Sequence, residues 1–89
     1  PQSNFKVDGK NICVSILKCA ERKANAYVVR VFNASGEESE ATVQFAKKIK
    51  NAVFVNLNEE EKDGKVGIVD GKAKFNVAPY KIVTIMVEF

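Results

Sequence analysis

Two cysteines, eleven carboxylates and no histidine are the reactive groups that this 89-residue chain offers. Without histidine there is no Ser–His or Cys–His nucleophile. The five residues between Cys13 and Cys19 are not a zinc spacing, and no imidazole is present to complete a metal site. Catalysis by paired carboxylates needs two acids facing each other across a cleft, one of them in an apolar setting. Here Glu37-Glu38, Glu59-Glu60-Glu61, Asp63 and Asp70 fall in turns, where carboxylates are solvated. The glycines stand singly, so no Gly-rich phosphate loop follows a strand. The reading is therefore no catalytic residue, no metal ligand and no cofactor within this segment.

The cysteines bear on compartment. Most of the interval between Cys13 and Cys19 reads as one extended strand, which separates their Cα atoms by roughly 20 Å. A disulfide needs less than about 7 Å. Two free thiols are expected, which suits a reducing, cytoplasmic setting. Asn33-Ala34-Ser35 matches an N-glycosylation triplet but is read as a turn.

The net charge of +3 is mild, and its signs alternate in blocks. Lys47, Lys48 and Lys50 lie between Glu37-Glu38-Glu40 and Glu59-Glu60-Glu61. A nucleic-acid binder gathers basic residues on one face and interleaves aromatics with them, so no nucleic-acid partner is expected. No apolar run approaches the roughly 20 residues of a membrane helix, and no membrane partner is expected. The opening Pro1-Gln2-Ser3-Asn4-Phe5-Lys6 lacks a signal peptide's apolar stretch and an initiator Met, and is read as the start of a piece cut from a longer chain.

The elements that would position these groups are strands. Alternation with a period of two, broken by turn residues every eight to twelve positions, runs the length of the chain. Ile12, Val14 and Ile16 alternate with Cys13 and Ser15. Tyr27, Val29 and Val31 share one face, with Arg30 on the other. Ala41, Val43 and Phe45 follow, then Val53, Val55 and Leu57. An acidic loop covers 58–64. Val66 and Ile68 lead into the hairpin signal Asp70-Gly71, and Ala73, Phe75 and Val77 come after it. Pro79 marks a boundary before Val83, Ile85, Val87 and Phe89. Residues 37–50 are the one stretch with a helical look, and their β-branched alternation argues against a helix.

The expected fold is all-β, an antiparallel two-sheet sandwich of roughly seven strands with immunoglobulin-like proportions, formed as a single domain over 1–89. Tyr27, Tyr80 and all six Phe fall in or beside apolar patterns and are expected to pack rather than present sugar-binding platforms. A second apolar face, made by Val28, Phe32, Ile82 and Met86, is expected to meet a partner or drive self-association.

Three segments in order carry a resemblance. They are Val14-Ser15-Ile16-Leu17-Lys18-Cys19-Ala20-Glu21 with Val28-Val29-Arg30-Val31-Phe32-Asn33-Ala34-Ser35-Gly36-Glu37; then Phe54-Val55-Asn56-Leu57-Asn58-Glu59-Glu60; then Phe75-Asn76-Val77-Ala78-Pro79-Tyr80-Lys81-Ile82-Val83-Thr84. Together they resemble the C-terminal β-domain of family-38 α-mannosidases, over residues 11–87. Lys81 and Val83 stand where that family's last motif usually has Glu and Lys, and Asn58 replaces a common Leu.

The resemblance implies a parent enzyme that hydrolyses terminal α-linked mannose from oligosaccharides with retention, using zinc and an Asp nucleophile in an N-terminal catalytic region. This chain is then its non-catalytic C-terminal domain, supporting packing, the cleft rim or subunit contacts. Its expected partners are the parent's catalytic domain and a second copy in a homo-oligomer. Arg30, Asn33, Asn56, Glu59 and Glu60 are the matching polar positions where interdomain contacts are expected. The alternative is a stand-alone interaction module of fibronectin type, or one that binds carbohydrate. Tandem copies would favour that alternative, whereas an upstream region with His and Asp motifs would favour the enzyme.

Overall fold

Alternating apolar residues of the kind found above bury only if two sheets face each other, and that is the arrangement in the computed structural model, which describes residues 5–89. The reading of a missing leader at residues 1–4 lies outside them. Eight strands follow in order: β1 (Lys6–Asp8), β2 (Ile12–Cys19), β3 (Ala26–Asn33), β4 (Ser39–Gln44), β5 (Asn51–Phe54), β6 (Gly67–Val69), β7 (Lys72–Val77) and β8 (Ile82–Glu88). They form two antiparallel four-stranded sheets, ordered β1-β4-β7-β6 and β2-β3-β8-β5. No described residue is helical. The extra strand relative to the expected seven is β1, three residues long, whose Val7 pairs with Val43.

The core lies between the sheets. Val29 and Val31 of β3 and Ile85 and Val87 of β8 meet Ala41 and Val43 of β4 and Ala73, Phe75 and Val77 of β7. All are buried, and full burial of each Val or Ile stabilises the fold by about 1.5–3 kcal/mol. One end of the core is aromatic. Phe45 lies 5.0 Å from Phe5, 5.5 Å from Tyr27 and 5.1 Å from Phe89 between ring centroids. Tilted and edge-on contacts of this kind suit the ring quadrupoles.

The structure departs from the alternation at four places. A bulge between Val14 and Ile16 inserts an extra residue into β2, so Ile16 falls opposite Arg30 and Leu17 opposite Val29. Leu17, not Ile16, therefore packs with Ile12 against the core. Strand β5 ends at Phe54, and Leu57 projects from a turn, 76% exposed. Tyr80 is not in a strand: it sits in the β7–β8 turn with φ +56° and is 64% exposed. Finally, Val28 and Met86 on the outer face of the second sheet are buried by the chain itself, in a small cluster with Ala26 and Val55. No partner is needed to cover those two.

Cys13 and Cys19 are both free and exposed on β2, as their spacing predicts. The Asp70-Gly71 hairpin also forms, with φ +53° and +76° at the two turn residues, the combination that a type I′ turn requires. A Cβ on Gly71 would lie 2.7 Å from Lys48 Cγ and 3.2 Å from its Cα, and Gly71 O accepts from Ile49 N at 2.9 Å. Gly71→Ala is expected to cost about 2 kcal/mol through left-handed strain and this collision. Urea unfolding checks it, and an unchanged midpoint would contradict it.

Candidate functional site

The polar positions singled out in the sequence fall into three local structures, all associated with the sheet β2-β3-β8-β5.

Asn33 closes β3 as a fully buried polar residue. Its Nδ2 donates to Glu37 O at 2.7 Å and Val77 O at 3.0 Å, with Ala78 O at 3.3 Å. Its Oδ1 accepts from Ser35 N and Ser35 Oγ, both at 3.0 Å. One side chain thus ties the β3–β4 turn to the end of β7, and every polar atom of the amide is engaged. The glycosylation triplet runs from the last residue of β3 into the β3–β4 connection, and its acceptor nitrogen lies inside the protein.

Asn56 and Glu60 shape the loop after β5. Asn56 Oδ1 accepts from Asn58 N at 2.8 Å and Glu60 N at 3.0 Å, while Asn56 Nδ2 donates to Glu60 Oε1 at 2.9 Å. This Asx-type turn brings Glu59 round with φ +62°. The Glu59 carboxylate then accepts from Glu21 N at 3.0 Å and Arg22 N at 3.2 Å. Lys18 Nζ stands 3.9 Å away, and the Glu59 side chain is only 6% exposed. Glu59 is thus a clamp between the β2–β3 turn and the acidic loop, and these two segments lie beside Val28, Val55 and Met86.

Arg30 is different, since its charge has no ion-pair partner among the described residues. It sits mid-sheet on the outer face, opposite Thr84 on β8 and Ile16 on β2. Its Nε donates to Thr84 Oγ1 at 3.2 Å. Among the described residues no carboxylate lies within ion-pair distance of it. The guanidinium lines an open groove of about 740 Å³ shared with Leu57, Lys62, Lys81, Ile82 and Thr84. Ile82 is 62% exposed and pairs with Phe32, which is half-buried. The outer face is therefore covered by the chain's own loops beside Met86 and open beside Ile82.

The sequence expects an apolar outer face that includes Phe32 and Ile82, and the groove lies beside Ile82. A signal for it was present in the apolar residues on both faces of β8, but the strand pattern could not say which half of the outer face the acidic loop would cover.

Among the described residues, no three His, Cys, Asp or Glu side chains gather where a metal ion could sit. The two shifted ionisations belong to one surface ion pair, Lys23 Nζ to Glu88 Oε2 at 2.8 Å. A hydrogen bond from Asn51 and then the contact with Lys23 hold the Glu88 carboxyl below its usual range. The hydrogen bond with Glu88 raises Lys23. The Glu88 contribution to stability is present above its unfolded pKa and lost as pH falls; the Lys23 contribution is lost as pH rises through its raised pKa. Both are screened by solvent, and neither group lines the groove.

The description "Glycosyl hydrolases family 38 C-terminal beta sandwich domain" matches residues 11–85. No curated protein and no solved structure gives a significant match.

Proposed function

The chain belongs to the C-terminal β-sandwich domains of glycosyl hydrolase family 38, and from that premise we propose that it is the non-catalytic accessory domain of an α-mannosidase. The parent enzyme hydrolyses terminal α-linked mannose, and its zinc ion and nucleophile belong to a catalytic region outside this segment. The domain's task is to pack against that region and stabilise it. One observation carries the reading: an open sheet face with Ile82 and Leu57 projecting beside Arg30, in a chain without histidine. Exposed apolar groups beside a guanidinium lacking an ion-pair partner suit a docking surface better than a reaction centre. The two exposed thiols suit a reducing, cytoplasmic setting.

The carbohydrate-binding alternative has less support. Sugar-binding modules offer aromatic platforms, and four of the aromatic rings here pack together in the core end. Tyr80 is the exposed exception.

The 89-residue chain assayed on an aryl α-mannoside, with and without added zinc, is expected to give no turnover above a matched blank. Zinc-dependent turnover would overturn the non-catalytic assignment.

A further inference from the structure

The outer face of β2-β3-β8-β5 is apolar along much of its length, yet the chain covers only part of it. Lys18, Val28, Met86 and Val53 form one row across the four strands, where Val28 and Met86 are buried beside Val55. The next row is Ile16, Arg30 and Thr84, and beyond it Cys13, Phe32 and Ile82. The cover stops at Arg30.

Charge in this open part is one-sided. Arg30, Lys62 and Lys81 line the groove against a single acid, Asp63. Lys62 and Lys81 are on exposed loops, where a lysine is ordinarily solvated. Arg30 is not in that position. Thr84 fixes its Nε, it stands between β2 and β8, and its two terminal nitrogens have no partner among the described residues. A guanidinium so oriented presents a fork that matches a carboxylate in two parallel hydrogen bonds.

We infer that this groove docks an extended polypeptide segment carrying a carboxylate flanked by apolar side chains. The carboxylate pairs with the terminal nitrogens of Arg30, and its apolar neighbours lie on Ile82 and Leu57. The accessory-domain reading supplies the source of that segment, the catalytic portion of the same enzyme. The charge complementarity and the exposed apolar floor stand without it.

The test uses the 89-residue chain, labelled for NMR, and two synthetic peptides: acetyl-Leu-Asp-Leu-Glu-Phe-amide and its neutral twin with Asn and Gln at the acidic positions. The acidic peptide is expected to shift Arg30, Leu57, Ile82 and Thr84 signals saturably. The neutral twin, and the acidic peptide on Arg30→Gln, should each bind about tenfold more weakly, the loss of one charge-assisted pair. The Arg30→Gln spectrum away from the groove reports that the variant is folded. Equal binding of both peptides overturns the inference. So do shifts confined to Lys47, Lys48 and Lys50, or the same groove answering α-mannobiose and not the acidic peptide. Such a failure leaves the accessory-domain reading to stand or fall on the α-mannoside assay and on removal of the domain from its parent.

Discussion

Asn33→Asp is expected to cost about 3 kcal/mol, a large share of the 5–15 kcal/mol that holds a small domain folded. The buried amide nitrogen faces the carbonyl oxygens of Glu37, Val77 and Ala78. Asp puts an oxygen there, so acceptor meets acceptor, and the group must either ionise in a buried site or take up a proton. Asn33→Ala avoids that conflict but strands the same carbonyls and the Ser35 amide, and should cost about 2 kcal/mol. Ser35→Ala destroys the same glycosylation triplet while removing weaker, partly exposed bonds, and should cost about 0.5–1 kcal/mol. The order of the three urea midpoints checks the account. Equal losses for Asn33→Asp and Ser35→Ala would show that Asn33 is not the organising group.

Glu59→Ala is expected to cost about 2 kcal/mol, from charge-assisted bonds to Glu21 N and Arg22 N and the contact with Lys18. The left-handed backbone at Glu59 gives this prediction a second arm. Glu59→Gly loses the same clamp but relaxes φ +62°, and should recover about 1 kcal/mol of the loss. In both variants the β2–β3 turn should open locally. Amide exchange over 20–26 should quicken, and Met86, buried in the native protein, should oxidise faster. Unchanged exchange and oxidation would mean that the outer cluster is held by something other than Glu59.

Most strand positions and the core were legible because burial on one face imposes a period of two, and Ala41, Val43, Ala73, Phe75, Val77, Ile85 and Val87 obey it. Two departures from the strand pattern are local. The β2 bulge reverses the faces of Ile16 and Leu17, and neither residue type marks it. Tyr80 is exposed because Pro79 ends strand pairing and the chain turns at Tyr80 with a left-handed backbone, which alternation does not encode. Asn33 and Glu59 were picked out as polar positions for interdomain contacts. Their hydrogen bonds close turns inside the chain, over sequence separations of up to 45 residues. Partners so distant are set by the tertiary fold, which one-dimensional patterning does not encode. Arg30 has no ion-pair partner among the described residues, because the sheet puts it at the border of the loop's cover.

The central claim, that this domain stabilises the catalytic part of an α-mannosidase, is tested most directly by removing it. The full reading frame of the parent enzyme is expressed with and without this segment, and zinc-dependent aryl α-mannoside turnover and thermal midpoint are measured on each. The account predicts that loss of the segment lowers the midpoint and the active fraction, and that adding the 89-residue chain in trans restores part of both. A truncated enzyme with unchanged turnover and unchanged midpoint would contradict it, as would a reading frame built of tandem copies of this unit with no catalytic region.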